Sequence, residues 1–218
     1  MLTLNDVRAS IGGVPVLRNA SCVVANGKTT VLVGRNGAGK TTTLRAIMGL
    51  LRIDHGEIRL DDRDIVADPA YLRAKLGIGY APEDRRLVPE FSIEENITLP
   101  ALALALPGAE VSRRLSEIYS LLPQLEKLRL RPGGSVSGGQ GKMVALGRAL
   151  MVARTALLLD EPFQGLAPAL ALEYAQTLGE LRKRRPELSL LITESSPALL
   201  NDVADVTFQI ERGDISPA

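Results

Sequence analysis

The sequence predicts an α/β fold with a parallel sheet, and the clearest sign is an alternation of strand and helix patterns in the C-terminal half. Residues 156–159 and 188–193 are short apolar runs of the kind that form buried strands. The segments at about 139–153 and 169–185, each of which precedes one of these runs, have the length and spacing of helices. Such alternation argues for a parallel sheet, and 218 residues with 45% apolar content suit a single globular unit.

The N-terminal third of the chain reads as strands and turns. Residues 2–7 alternate between apolar and polar, residues 14–24 are rich in β-branched side chains, and a turn separates them from an apolar run at 29–33. Residues 34–39 break this pattern with glycines, and residues 40–51 resume with helical spacing. The first 51 residues therefore predict strands of a sheet, followed by a further strand, a glycine loop and a helix.

The middle of the chain predicts a helical insertion. Strand signals fade from about residue 94 to residue 130, and apolar residues there recur every three to four positions. The residues with this spacing are Val111, Leu115, Ile118 and Leu122. Near the C-terminus, residues 206–210 are expected to add an edge strand to the sheet.

Composition excludes several classes of protein. Lys and Arg number 26 against 25 Asp and Glu, so no electrostatic argument favours nucleic acid or an anionic membrane surface. The one cysteine, Cys22, lies in a strand pattern and is expected to be a packed thiol. The N-terminus shows no signal-peptide pattern. The longest apolar stretch, residues 99–107, is shorter than the roughly 20 residues a spanning helix needs, and it either packs on its own domain or docks against a membrane partner.

The glycine loop matches a phosphate-binding loop, GxxxxGK followed by Ser or Thr, between a predicted strand and a predicted helix. Its residues are Gly34, Arg35, Asn36, Gly37, Ala38, Gly39, Lys40 and Thr41, with Thr42 following. The glycines let backbone N–H groups converge on an anion, and the helix N-terminus adds partial positive charge. We expect Lys40 to neutralise the outer phosphates and the Thr41 hydroxyl to bind Mg²⁺.

A second motif is an apolar run, residues 157–159, that ends in the two carboxylates Asp160 and Glu161. Buried strands of a parallel sheet deliver such acids to the edge where the phosphate loop lies. We expect Asp160 to hold Mg²⁺, directly or through water, and Glu161 to orient or activate the attacking water. Alone, this run could equally be a solvated strand end; the phosphate loop upstream favours the functional interpretation.

The third motif, Ser137-Gly138-Gly139-Gln140, opens a predicted helix with Ser137 as a candidate N-cap. Following the phosphate loop and preceding the acidic strand end, it resembles the signature sequence of ABC ATPases, and the resemblance runs along almost all of the chain. It implies ATP as the ligand. It also implies that the signature of one subunit closes over ATP held by another, so that Ser137 and Gly139 contact a partner's γ-phosphate.

The same resemblance implies a domain organisation. The chain, residues 1–218, would be one ABC ATP-binding domain with a P-loop NTPase fold and an antiparallel N-terminal β portion. A RecA-like core would comprise about 1–90 and 151–218, and a helical subdomain about 91–150.

Further motifs look like the LivF-type ATPases of branched-chain amino-acid importers; they are segments 81–87, 93–96, 145–150, 160–162 and 165–168. Glu83 stands where most ABC ATPases have a glutamine that senses Mg²⁺ and the membrane partner, and Ala167 stands where most have an aspartate. The resemblance implies uptake of hydrophobic amino acids, although urea, amides and aromatic acids also remain open. It places the chain at the cytoplasmic face of the membrane.

The partners implied by this resemblance are a second, paralogous ATPase subunit, transmembrane permease subunits and a substrate-binding protein. A homodimer is the alternative for the isolated chain. No nucleic-acid partner is expected.

Two positions depart from the family pattern. Ser195 stands where a catalytic histidine is expected, and a serine reaches less far toward a γ-phosphate than imidazole does. The one histidine, His55, lies in a turn before a strand and is expected at the surface. Ile11 stands where many members stack adenine on an aromatic ring, so it would offer apolar contact without stacking.

These departures favour one rival interpretation, a catalytically weak nucleotide-binding partner in a heterodimeric transporter. A soluble ABC ATPase of repair or translation would need insertions or tandem domains for which 218 residues leave no room. A P-loop kinase or GTPase would leave the Ser137–Gln140 motif unexplained.

Overall fold

The fold is built around one ten-stranded sheet, and the computed structural model describes all residues from 1 to 218. The strands are β1 (Leu2–Ile11), β2 (Val14–Val24), β3 (Thr29–Val33), β4 (His55–Leu60), β5 (Arg63–Asp64), β6 (Ile78–Ala81), β7 (Ala156–Asp160), β8 (Ser189–Glu194), β9 (Val206–Glu211) and β10 (Asp214–Pro217). The helices are α1 (Lys40–Ile47), α2 (Leu72–Lys75), α3 (Ile93–Ala103), α4 (Gly108–Leu121), α5 (Pro123–Lys127), α6 (Gly138–Leu150) and α7 (Pro168–Arg184), with a 3₁₀ turn at Gly133–Ser135.

The strand order is β5-β4-β1-β2-β10-β9-β3-β8-β7-β6. Strands β6, β7, β8, β3 and β9 run parallel, whereas β1, β2, β4 and β5 pair antiparallel. The predicted α/β class with an antiparallel N-terminal portion is therefore confirmed.

Three of the parallel strands, β3, β7 and β8, are buried on both faces, and β7 shows how. Leu157 and Leu159 point into a core formed with α3, α4, α6 and α7. Leu158 points to the opposite face, into a core formed with the antiparallel strands and α1. Because both faces of these strands are covered, polar groups in this part of the sheet gather where the strands end.

The structure corrects two predictions from the sequence. Residues 206–210 were expected at an edge, but β9 lies inside the sheet, between β3 and the C-terminal strand β10. The helix predicted over residues 40–51 ends at Ile47, because Gly49 adopts a left-handed backbone with φ of 66°.

The helical segment packs as its spacing predicts. In α4, Ile118 is buried, and Val111 and Leu115 pack against the same core. In the apolar stretch 99–107, Leu106 packs on the core, as one interpretation predicts, and Leu102 is 69% exposed. Docking of this stretch against a membrane partner stays a prediction.

Two smaller predictions are also confirmed. Cys22 is buried in β2, where burial raises the pKa of its thiol to about 12. The imidazole of His55 is exposed and lies 3.3 Å from Asp6. In addition, no helix has the length and apolar character that crossing a membrane requires.

The turn before α3 depends on Asn96, which is fully buried. Its side-chain oxygen accepts from the Val88 N–H at 2.8 Å, and its amide donates to the carbonyls of Val88, Phe91 and Ser92. One side chain therefore satisfies the Val88 N–H and adds a second donor to three backbone carbonyls of the turn.

Asn96→Ala should lower the free energy of unfolding by about 3 kcal/mol, because it removes four hydrogen bonds of a buried side chain and leaves the Val88 N–H without a partner. Thermal unfolding should show a fall in Tm of roughly 6–12 °C. Leu102→Ala, at an exposed position of the same helix, serves as the control and should change stability little. Equal stability of the two variants would contradict this role of Asn96.

Candidate functional site

The register of the parallel strands brings the predicted site residues together. Asp160 at the end of β7 pairs with Thr193 of β8, and Glu194 of β8 pairs with Val33 of β3. Beyond the strand ends the backbones stay joined, since the Gly34 N–H donates to the Glu194 carbonyl at 3.1 Å. The phosphate-binding loop and the acidic strand end therefore share one edge of the sheet.

Two of the loop glycines are required by close packing. A Cβ at Gly34 would lie 2.4 Å from the carbonyl oxygen of Ile210 in β9. Gly39 has a φ of 116° and lies against Leu17 and Ile210, so a side chain there would be strained and crowded. The loop is fixed against β2 and β9, and α1 begins directly after it, with its N-terminus facing the loop.

Lys40 and Glu161 form a buried ion pair at this edge. The Lys40 Nζ lies 3.1 Å from Glu161 Oε1, and their side chains are only 3% and 7% exposed. The same ammonium donates to the carbonyls of Gly34 and Arg35 and lies 3.3 Å from the Ser195 hydroxyl. A cation is thus held at the mouth of the glycine loop, beside a carboxylate.

The carboxylate of Asp160 accepts hydrogen bonds from three hydroxyls. Thr193 donates at 2.8 Å and Thr41 at 3.1 Å to Oδ1, while the Tyr80 hydroxyl donates at 3.3 Å to Oδ2. Burial raises the pKa of Asp160, and the three hydroxyls oppose that shift. Sequence reasoning found Asp160 and Thr41 but missed Thr193 and Tyr80, whose positions follow from the pairing of β6, β7 and β8.

The contact between Thr41 and Asp160 fits Mg²⁺. One hydroxyl and one carboxylate oxygen are hard ligands, and Mg²⁺ is typically bound by one or two carboxylates together with phosphates and water. No cluster of three or more His, Cys, Asp or Glu side chains suited to a metal occurs in the chain. The Thr41 hydroxyl and the Asp160 carboxylate would supply two of the oxygen ligands of such an ion.

Comparison with known proteins agrees with this geometry. The family model described as "ABC transporter" matches residues 17–164. The lipopolysaccharide export ATP-binding protein LptB of Acidithiobacillus ferridurans is 39% identical over 179 residues, covering 82% of this chain and 73% of that protein. This chain belongs to the ABC transporter family, as an ATP-binding subunit.

Another relative matches this ABC ATPase over a greater share of both chains. The high-affinity branched-chain amino acid transport ATP-binding protein BraG of Pseudomonas aeruginosa is 31% identical, covering 99% of this chain and 91% of that protein. ATP hydrolysis coupled to transport is the activity of the family and of this chain.

Solved structures of ABC cassettes superimpose on nearly the whole chain. A nucleotide-free ATP-binding cassette from an ABC transporter matches with a TM-score of 0.85 at 26% identity, over 99% of this chain and 89% of that one. The bacterial cassette MJ0796 matches with a TM-score of 0.87 at 22% identity, over 99% and 97% of the two chains. The fold of this ABC ATPase is thus a P-loop NTPase cassette.

Residues 137–140, the predicted signature of this ABC ATPase, form the start of α6. Ser137 is the N-cap: its hydroxyl accepts from the Gln140 N–H at 3.2 Å, and the Gln140 side chain accepts from the Ser137 N–H at 3.0 Å. A Cβ at Gly139 would lie 2.1 Å from Leu170 of α7, so only glycine fits this position without a shift of that leucine. No hydrogen bond or ion pair connects these residues with Lys40 of the same chain.

The other predicted site residues outside the α6 motif are Ser195, Glu83 and Ile11. The Ser195 hydroxyl lies 3.0 Å from the Asn36 side-chain oxygen and 3.5 Å from Glu161, so serine does face the phosphate-binding loop. Glu83, just beyond β6, is exposed and makes no ion pair. Ile11, at the end of β1, is 47% exposed. Their roles in binding remain predictions.

Glu194 is a buried acid that sequence reasoning missed. Its carboxylate accepts from the Phe163 N–H at 2.9 Å, which connects β8 to the loop after Glu161. Burial is the main cause that raises the pKa of Glu194 to about 7, with Glu161 adding to the shift and Lys142 opposing it. The pattern of an apolar strand ending in an acid, used for Asp160, also occurs in β8 and could have found it.

The raised pKa of Glu194 predicts that stability falls as pH rises. Between pH 4.5 and about 7 the folded chain keeps a proton that the unfolded chain releases, so protonation stabilises the fold there. Glu194→Gln should reduce this fall by about 2 kcal/mol, measured by urea unfolding from pH 5 to 8. Glu90→Gln, at an exposed site, should keep the wild-type slope. An unchanged slope in Glu194→Gln would show that Glu194 is ionised in the fold.

Proposed function

We propose that Lys40, Thr41, Asp160 and Glu161 form the Mg²⁺-dependent ATP-hydrolysing site of this subunit. The observation that carries the proposal is the pair of contacts at one sheet edge, Lys40 with Glu161 and Thr41 with Asp160. These contacts support the proposal because they bring an ammonium, a hydroxyl and two carboxylates into one cluster at the sheet edge. Residues 34–42 would surround the phosphates with backbone N–H groups.

The arrangement supports a specific division of roles. On ATP binding, Lys40 would exchange the Glu161 carboxylate for the outer phosphates, which frees Glu161 to orient or activate the attacking water. Mg²⁺, when bound by Thr41 and Asp160, supplies positive charge to the phosphate oxygens. Ser195 would reach the γ-phosphate by its hydroxyl and hold its position through Asn36.

The second part of the site would come from another subunit. Ser137, Gly138, Gly139 and Gln140 begin α6 and make no contact with Lys40 of their own chain, which fits a signature that closes over a partner's ATP. The core at about 1–90 and 151–218 and the helical subdomain at about 91–150 would move with this closure. Closing and reopening would then drive the membrane subunits through differential affinity for two conformations.

We also propose that the transported compounds are branched-chain or other hydrophobic amino acids. The motifs around Glu83 and Ala167 and the near full-length similarity to BraG, an amino-acid transport protein by name, support this. The similarity to LptB, a lipopolysaccharide export protein by name, supports a different cargo. Glu83, which is exposed beyond β6, would sense Mg²⁺ and the membrane subunits.

The partners that follow from this proposal are a paralogous ATPase subunit, transmembrane permease subunits and a substrate-binding protein. The chain would lie at the cytoplasmic face of the membrane as a peripheral subunit. Ile11 would contact the adenine through apolar surface without stacking.

The purified chain should hydrolyse ATP only with Mg²⁺, and turnover per subunit should rise cooperatively with protein concentration. Lys40→Ala and Glu161→Gln should each lower turnover about 100-fold or more, because they remove the phosphate-binding cation and the candidate base. Lys40→Ala should also weaken ATP binding, whereas Glu161→Gln should retain it. The exposed Glu90→Gln variant is the control. Absence of ATP binding in the wild type would refute the proposed site.

Ser195→His tests the rival proposal that the site is catalytically weak. Ser195 is exposed, so an imidazole has room, and its longer reach should give a stronger hydrogen bond to the γ-phosphate than serine gives and raise kcat about tenfold. The control Ser196→His, also at an exposed position, should leave kcat unchanged. An unchanged kcat in Ser195→His would mean that serine suffices and that the weak-site proposal is wrong.

A further inference from the structure

Lys142 is a buried lysine close to the proposed site, and no role has been assigned to it so far. It lies on α6, five residues after the N-cap Ser137, and its residue surface is 9% exposed. Its Nζ donates a hydrogen bond to the backbone carbonyl oxygen of Glu161. The helix that begins with the signature therefore contacts the proposed base of its own chain.

The backbone of Glu161 needs such support. Its φ is 43°, in the left-handed region, which for a residue other than glycine costs of the order of 1 kcal/mol. On its N-terminal side the Glu161 N–H donates to the carbonyl of Thr193 at 3.0 Å and lies 3.2 Å from the Thr193 hydroxyl. On its C-terminal side, the Glu161 carbonyl accepts from Lys142. Both the N–H and the carbonyl of Glu161 therefore have hydrogen-bond partners on other elements.

The space beside Lys142 leaves little room for a water molecule that could donate to the Glu161 carbonyl in its place. The cavity that Lys142 lines with Ala145, Pro162 and Tyr174 measures about 10 Å³, at the lower limit of what one water molecule needs. The carbonyl of Glu161 also accepts from the Gln164 N–H at 3.2 Å, so Lys142 is the one side-chain donor to this oxygen beside a backbone donor within the turn.

The charges around Lys142 explain why a cation is held there. Burial lowers its pKa, and the carboxylates of Glu194, Glu83, Glu161 and Asp160 oppose that shift. An ammonium at this point thus reduces repulsion among several acids at one edge of the sheet.

We propose that Lys142 is a positioning residue for ATP hydrolysis: it connects the signature helix to the Glu161 backbone and fixes the direction of the Glu161 carboxylate. A shift of α6 during closure over a partner's nucleotide would then reach the base of the same chain directly. This inference rests on the proposed role of Glu161, and it extends that role by coupling it to α6.

The test compares Lys142→Met, Lys142→Gln and Lys142→Arg with Lys183→Met, a control whose lysine is 79% exposed. Methionine keeps the length of the side chain and suits the apolar surroundings, but it has no donor for the Glu161 carbonyl. We expect Lys142→Met and Lys142→Gln to lower kcat at least tenfold with KM and ATP affinity unchanged within twofold. Lys142→Arg, which keeps a charged donor, should retain most of kcat.

A second measurement does not depend on turnover. Hydrogen–deuterium exchange of the peptide spanning residues 157–166 should accelerate in Lys142→Met and Lys142→Gln, because the loop after β7 loses its anchor. Lys142→Arg and Lys183→Met should exchange as the wild type does.

The outcomes separate this inference from the proposed function. If Glu161→Gln abolishes turnover while Lys142→Met leaves kcat and exchange unchanged, the positioning role is wrong and the site assignment stands. If Lys142→Arg loses as much kcat as Lys142→Met, the lysine acts through packing alone and the inference fails. If Glu161→Gln keeps turnover, the site assignment fails, and exchange of residues 157–166 still decides whether Lys142 orders the loop.

Discussion

The site depends on the parallel register of three neighbouring strands. Because β7 pairs with β8 and β8 pairs with β3, the chain leaves the sheet at Asp160, Glu194 and Val33 along one edge. Both faces of these strands are covered by apolar side chains, so charged groups gather at this edge. A slip of one residue between β7 and β8 would turn Asp160 to the opposite face of the sheet and separate it from Thr41.

Burial of several charges is the main energetic cost of this arrangement. Lys40, Lys142, Asp160, Glu161 and Glu194 all have little exposure to solvent. Each has a partner on another element: a loop carbonyl, a hydroxyl, a backbone N–H or an opposite charge. Removal of one partner therefore leaves a buried charge uncompensated, which explains why the predicted effects of neutral substitutions here exceed those at the surface.

Two lysines, Lys40 and Lys142, contact different groups of Glu161. Lys40 pairs with its carboxylate from the phosphate-binding loop, and Lys142 binds its backbone carbonyl from α6. Binding of a phosphate by Lys40 would release only the side chain of Glu161, since the backbone stays anchored. A carboxylate freed on a fixed backbone can be aimed at one point, as a positioned base requires.

The sequence by itself determined the α/β class, the glycine loop, the acidic strand end and the helix start at Ser137, because each follows from local spacing and residue type. The resemblance to ABC ATPases added the interpretation of residues 137–140 as a signature. Only the tertiary structure decided that β9 is interior, that Thr193 and Tyr80 reach Asp160, and that Lys142 reaches Glu161. These contacts join residues far apart in the chain, and strand order and helix packing set them. Local patterns carry no information about such pairings, since the same apolar strand fits either the edge or the interior of a sheet.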